Sequence, residues 1–468
     1  MRIRLSLPLT LLLPLTVFAQ SGPETQQILE RLQRLEDQNR QLMSEIKALR
    51  QELATAGIKA APSAAGEPQP SQQSPATTEA AAPAPLDERV AIVEKRIDEQ
   101  AQSKIEADHK LPVKLTGMLL FNAFANGRNS GGQEYPVVAA LTAPGQSGAA
   151  TDGATLRQSV LGLEFQGPQI FGGGKISGSL YMDFWGGTGN ALNQLVRLRV
   201  ATLDFDWRNT SFSVGQDKPI IAPREPTSLA QIGVSPLTGA GNLWLWSPQA
   251  RVEQRFAFGE NAGLRAQTGV YLTSEGSSIN VPTEYRSSLS STRPALQGRF
   301  EFWRQFGDNA RIEIAPGFSV SESHVNGMSI PSRIFSIDWL IRPISWFDFT
   351  GQFFSGRNAA VLGGLRQGIA FLPNEQIHAI QAAGGWAQLT FRATRRLSFN
   401  LYGGQEDDWN SDLMFGNIAR NLAYAGNAMY RLGSNVIMSF EASQTRTLYV
   451  GSGIRLNPHY DLAIAYLF

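Results

Sequence analysis

The feature that most constrains this chain is the rhythm of its connections. From Val113 to Phe468, segments of roughly ten residues alternate apolar and polar side chains, each bounded by Gly, Pro, Asn or Ser. In the third segment Lys175, Ser177, Ser179, Tyr181 and Asp183 point one way, while Ile176, Gly178, Leu180, Met182 and Phe184 point the other. Leu397, Phe399 and Leu401 against Ser398, Asn400 and Tyr402 repeat the scheme, as do Phe335, Ile337, Trp339 and Ile341 against Ser336 and Asp338. Period two means strands with one wet and one apolar face. A soluble sandwich alternates too, so the faces alone do not decide. The junctions do. Short turns at 167–174, 208–209, 259–263, 307–310, 343–345, 394–396 and 432–435 take every second place. Mostly longer segments at 126–154, 185–195, 217–246, 274–293, 326–331, 355–381, 405–419 and 447–457 take the others. This pattern predicts an all-β transmembrane barrel of about 16 antiparallel strands over 113–468, with both ends on one side.

The end of the chain agrees. Tyr460, Leu462, Ile464, Tyr466 and Phe468 share one face of the terminal strand, and His459, Asp461, Ala463 and Ala465 share the other. Pairing of this strand with Val113–Phe124 would close the ring and remove both sheet edges. Phe124, Phe165, Phe184, Trp207, Phe306, Trp339 and Trp346 lie near strand ends, where aromatic rings favour the lipid headgroup level. Beyond the first twenty positions no uninterrupted apolar run approaches the roughly 20 residues of a membrane helix, which excludes a helical membrane protein. Zero cysteines suit an exported chain without disulfides, and a net charge of +1 argues against nucleic acid as a partner.

The amino-terminal third reads differently. Arg2 and Arg4, an apolar stretch from Leu5 to Phe18, and small residues before Gln20 mark residues 1–19 as an export signal. Over 24–56 a heptad seam follows, with Ile28, Leu35, Leu42 and Leu49 at d and Leu32, Asn39, Ile46 and Leu53 at a, predicting an α-helical coiled-coil stalk. Arg31 with Glu36 and Glu45 with Arg50 supply the flanking charges. Residues 57–85 are a linker rich in Ala, Pro, Ser and Gln, and Leu86, Val90, Val93 and Ile97 restore helical spacing over 86–106. Asn39 at a with leucine at d favours a parallel dimer, but an interface between barrels is expected to prevail over that preference at one buried Asn.

Strands such as LTGMLLFNAFANG, RQSVLGLEFQGP, GSLYMDFWGG and LRVATLDFDWRNTSFSVGQDKP, behind a signal peptide and a coiled stalk and ending on Phe468, resemble the DcaP-type outer-membrane porins and, more distantly, the phosphate-selective porins. The resemblance covers nearly the whole mature chain. It implies a homotrimeric diffusion channel in a bacterial outer membrane, favouring small hydrophilic anionic solutes, with its stalk in the periplasm. It also implies that Tyr466 and Phe468 serve as a carboxy-terminal assembly signal. The alternative is a structural tether whose stalk binds peptidoglycan or another envelope component.

No catalytic site or cofactor is expected. There is no G-x-S-x-G elbow, the four histidines lie far apart without metal-ligand spacing, and Gly172–Lys175 lacks phosphate-loop spacing. The informative charge is arginine, which supplies 25 of the 28 basic residues in 113–468, against 25 acids. Strand polarity turns Arg251, Arg255, Arg265 and Arg299 inward beside Glu253 and Glu301, and Lys175, Asp183 and Arg392 join this candidate pore lining. Such guanidinium groups either favour anions in the lumen or brace the wall through internal ion pairs. Arg157, Arg197 and Arg199 share the parity of outward Leu161 and Leu203; anionic lipid, an interface between copies or a parity-reversing bulge each accounts for them. The 217–246 segment resembles the loop that enters the bore of general porins, which makes Lys218, Arg224 and Glu225 constriction candidates. Glu406, Asp407, Asp408 and Asp412 read as a solvated acidic loop.

Overall fold

A computed structural model describes residues 113–142, 148–187, 194–273, 281–290, 294–325, 327–372 and 376–468. The expected signal peptide, coiled coil, linker and second helix lie outside the described residues. In chain order the strands are β1 (Val113–Asn126), β2 (Thr151–Thr155), β3 (Val160–Ile170), β4 (Gly174–Gly186), β5 (Leu195–Asp206), β6 (Thr210–Asp217), β7 (Ser247–Ala257), β8 (Ala262–Leu272), β9 (Pro294–Phe306) and β10 (Ala310–Val325). They continue as β11 (Met328–Ile344), β12 (Phe347–Arg357), β13 (Ile369–Phe371), β14 (Ile377–Ala379), β15 (Gln381–Arg392), β16 (Leu397–Asp408), β17 (Ile418–Arg431), β18 (Val436–Tyr449) and β19 (Gly453–Leu467). Among the described residues one α-helix, α1 (Thr283–Ser290), lies between β8 and β9.

Successive strands pair antiparallel, β19 pairs back onto β1, and β13 with β14 forms a separate hairpin. Both β2 and β3 pair with β1, so they are two pieces of one stave, and the ring is a closed barrel of 16 staves. Closure runs from Met118 opposite Leu467 to Asn126 opposite His459. Two connections differ from expectation: 326–331 and 447–457 are mostly strand, because β10 and β11 extend to Val325 and Met328, and β18 and β19 to Tyr449 and Gly453. Cross-strand hydrogen bonds there continue past the polar residues that looked like loop.

Sidedness is that of a protein facing hydrocarbon. Phe121, Val252, Phe302, Phe335, Leu401, Tyr460, Leu462 and Ile464 are exposed on the outside, while Asn122, Asp338, Asn400, Glu441 and Asp461 are buried within. Among several one-residue register shifts, two reverse this parity at charged residues. Thr155 opposes Asn122 and Val160 opposes Met118, so 156–159 insert one extra residue between β2 and β3. In β5, Val200 opposes Tyr181 but Leu198 opposes Met182, leaving Arg199 as the extra residue. An inserted residue turns the side chains beyond it to the other face. Arg157, Arg197 and Arg199 therefore point inward, and of the three explanations open for them the bulge is the one realised.

The interior is filled by two connections. The 218–246 segment folds back into the barrel, where Ile221, Ala222 and Leu243 pack with inward Tyr271, Ala295, Ile334, Phe354 and Ala382. Ala359, Val361 and Leu362 from the β12–β13 connection join that cluster, and the Trp244 and Leu245 amides donate to the Leu362 carbonyl at 2.9 and 3.1 Å. At the long-loop end, Leu289 of α1, Val325, Ile330, Ile369 and Ile377 form a second apolar cluster outside the wall's own pairing.

Candidate functional site

The inward segment 218–246 is held around almost the whole ring. Asn122 of β1 donates to Leu229 O at 2.9 Å, Ser336 of β11 to Ile221 O at 3.3 Å, and Asn421 of β17 to Gly239 O at 2.9 Å. Gln158, inside the first bulge, donates to Ala230 O at 2.8 Å and accepts from the amides of Ile232 and Gly233 at 2.7 and 2.8 Å. Glu441 of β18 accepts from Ser228 and Tyr402, both at 2.7–2.8 Å. Hydrogen bonds of this kind satisfy loop backbone that would otherwise be buried unpaired, which is why a long polar-flanked segment can lie inside.

Arg224 of that segment reaches a charge lattice on β8–β11. Its guanidinium meets Glu313, Asp338 at 3.0 Å and Glu301 at 3.7 Å. Arg299 bonds Asp338 at 2.7 and 2.8 Å and Glu301 at 2.7 Å, Arg265 meets Glu301 at 2.5 Å, and Arg311 meets Glu313 at 2.5 Å. Four guanidiniums thus share three carboxylates. Elsewhere Arg251 pairs with Asp217 at 2.8 Å, and Arg255 pairs with Asp206 and, at 3.4 Å, with Glu253. Every one of the four arginines expected to ring the lumen is therefore matched by an acid, as in the bracing alternative. Arg299 and Glu301 are each 1% exposed and Asp183 0%. These three face inward and are buried beneath the charge pairs that adjacent strands make with them.

Asp183 instead anchors the second bulge. Arg197 bonds it at 2.6 and 3.1 Å and Arg199 at 3.3 Å, while Arg199 also donates to Ile232 O at 2.8 Å and both guanidiniums lie over Trp246. Arg157 pairs with Glu134 at 3.1 Å and lies over Trp185. Lys218 and Glu225 pair with one another at 2.8 Å. Burial pushes the Glu225 carboxyl up, but Lys218, the Ser235 hydroxyl at 2.7 Å and the Arg199 charge outweigh it, leaving the group below its ordinary value. Glu406 and Asp408, read as loop, belong to β16 and are buried, accepting from Leu365 N and Gln367. Among the described residues no three metal-ligating side chains converge.

On the short-turn side of the inward segment the bore opens into a cavity of about 740 Å³. Six arginines line it, Arg224, Arg342, Arg392, Arg395, Arg396 and Arg431, against two carboxylates, Glu225 and Asp348. Asp348 is already shared by Arg342 at 2.6 Å and Arg392. Arg395, Arg396 and Arg431 make no ion pair among the described residues and are exposed. Of these six, Arg392 is expected in the pore lining and Arg224 comes from the resemblance of its loop to the bore-entering loop of general porins. The others sit at or beside the turns 343–345, 394–396 and 432–435, and their clustering at successive turns is the signal in the sequence.

No protein-family model and no curated protein matches the chain. Among solved structures it is similar to the outer membrane channel DcaP of Acinetobacter baumannii, with 15% identity, 76% of this chain and 97% of that one covered, and a TM-score of 0.61. It is also similar to an anion-selective porin from Comamonas acidovorans, with 12% identity, 76% and 99% covered, and a TM-score of 0.50. At these identities the likeness is one of architecture, and the described part of the chain has the fold of the outer-membrane porin barrels.

Proposed function

We propose that the chain is an outer-membrane porin through which small hydrophilic solutes, preferentially anions, diffuse passively. The single observation that carries the reading is the cavity of about 740 Å³ beside the inward segment, with six arginines against two carboxylates. An excess of fixed cations in a narrow polar space lowers the entry cost of an anion, and planar guanidiniums grip carboxylates or phosphates at two points. The solved porin described as anion-selective shares this architecture. In this reading the short turns and both barrel ends face the periplasm and the long loops face outward. A homotrimer, a periplasmic stalk and recognition of Phe468 during assembly belong to the same proposal. The test is conductance of the purified protein in planar bilayers under a salt gradient. The expected result is an anion-directed reversal potential that moves toward zero in Arg395→Ala/Arg396→Ala/Arg431→Ala. A wild-type barrel that conducts nothing, with strong retention on peptidoglycan, would replace the channel by a tether.

A further inference from the structure

The outer wall carries a charged feature that the bore does not use. At the long-loop end Arg333 of β11 and Arg357 of β12 are exposed and outward, one position beyond the paired Ile334 and Gly356. Arg357 reaches Gln381 at 3.3 Å, whereas Arg333 has no hydrogen bond or ion pair among the described residues. The outward acid on the neighbouring strand, Glu322, accepts instead from Ser329. Some strands further round, Arg420 of β17 holds Asp407 of β16 at 2.6 Å. Arg446 of β18, outward and opposite Leu422, is again unpartnered among the described residues.

Between Arg333 and Arg357 on one side and Arg446 on the other the wall is hollowed, with Asp407, already held by Arg420, at its border. Ala383, Gly385 and Ala387 of β15 and Gly403 of β16 give it a floor of small side chains. Trp339 and Phe353 form one bank and Tyr424 the other, enclosing a mostly apolar groove of about 640 Å³ on the outside of the barrel. Like charges on opposite positions of paired strands repel, and hydrocarbon nearby screens them poorly, so an external anion at Arg333 and Arg357 would relieve the pair. Phosphate is a strong candidate by geometry, since guanidinium binds it through two parallel hydrogen bonds. A groove floored by Ala and Gly and flanked by the rings of Trp339, Phe353 and Tyr424 admits a chain that bulkier side chains would exclude.

We propose that this face binds a phosphorylated lipid of the surrounding leaflet, its phosphates on Arg333, Arg357 and Arg446 and an acyl chain in the groove. The inference rests on the placement of the barrel in an outer membrane with its long loops outward. Charge complementarity selects a lipid carrying more than one phosphate over a second copy of the chain.

The test uses the full mature chain, reconstituted with a bis-phosphorylated glycolipid or with phosphatidylcholine, and native mass spectrometry of the lipid retained. Arg333→Gln/Arg357→Gln/Arg446→Gln is expected to retain about tenfold less phosphorylated lipid, with phosphatidylcholine retention and single-channel conductance unchanged. Gly403→Leu, whose added Cβ would lie 3.3 Å from that of Tyr424, fills the groove while keeping every arginine and is expected to lower retention as well. Equal retention by wild type and the arginine variant overturns the proposal. So does loss of the oligomer on unheated gels in Gly403→Leu with lipid retention unchanged, which would assign the groove to a second copy. A wild-type chain that keeps this lipid but conducts nothing supports the lipid site and fails the channel reading alone.

Discussion

Arg299 and Asp338 meet at two points inside the barrel, Nε to Oδ2 at 2.7 Å and Nη2 to Oδ1 at 2.8 Å, with each side chain 1% exposed. Removing one partner of a sealed pair leaves the other charge buried and uncompensated, which costs about 3–5 kcal/mol. Arg299→Met is therefore expected to lower the denaturant midpoint of the folded barrel strongly, while leaving the reversal potential of surviving channels near that of wild type. Urea unfolding in lipid and bilayer recordings check the two halves separately.

Asp348 lies at the opposite extreme of the same logic. Arg342 and Arg392 both spend charge on it, and all three border the cavity. Asp348→Asn removes a negative charge but keeps a hydrogen-bond acceptor for the guanidiniums. The expected outcome is a larger anion-directed reversal potential at unchanged salt, opposite in sign to Arg395→Ala/Arg396→Ala/Arg431→Ala.

Gln158 clamps the inward segment at three loop positions, Ala230, Ile232 and Gly233. Gln158→Ala strands two buried amides and a carbonyl, at roughly 1–3 kcal/mol for each unsatisfied group. Faster hydrogen exchange over 228–234 and noisier single-channel current are expected, with the barrel strands themselves still protected.

The same glutamine shows where legibility in the sequence stopped. The faces of β4, β11, β16 and β19 could be read because period two survives along each strand. Arg157, Gln158, Arg197 and Arg199 could not be placed, because one inserted residue reverses every side chain beyond it and carries no compositional mark. Inward direction was legible for Arg251, Arg265 and Arg299, and so was Glu301 beside them; Asp217, Asp338 and the arrival of Arg224 from a loop more than 70 residues from Glu301 were not, since those contacts depend on register between strands and on the path of the loop. The bore-entering path of 218–246 was suggested by resemblance; its tethers at Asn122, Ser336 and Asn421 lie scattered across the chain.

Glu225 links the inward segment to Lys218 and Ser235, and its carboxyl is held below its ordinary value. A depressed carboxyl stabilises the fold above its unfolded-state value, and that contribution is lost as pH falls through the folded-state value. Anchoring of the segment is thus expected to be constant near neutrality and to weaken only in acid, as pH falls below the ordinary carboxylate range. Open-channel noise measured over that range should rise in wild type, and Glu225→Gln should be noisy already at neutral pH.

Phe468 closes the ring through Gly117. The Gly117 amide donates to Phe468 O at 3.0 Å, and the Phe468 amide donates to Gly117 O at 3.2 Å. Gly117 has φ +157°, and a Cβ there would lie 2.4 Å from Val160 O and 2.9 Å from the Phe468 ring, so the ring occupies the space a side chain would take. An aromatic covering a cross-strand glycine stabilises a seam that glycine alone leaves loose. Gly117→Val is expected to displace the ring and to slow barrel closure, seen as delayed heat-modifiable migration during refolding into lipid. Deleting Phe468 removes both hydrogen bonds and the ring together, so it should slow refolding at least as much. If the deletion also abolishes assembly in cells while Gly117→Val only delays it, the terminal aromatic acts as a recognition signal in addition to sealing the seam; equal effects of the two changes in cells and in lipid would confine it to the seam.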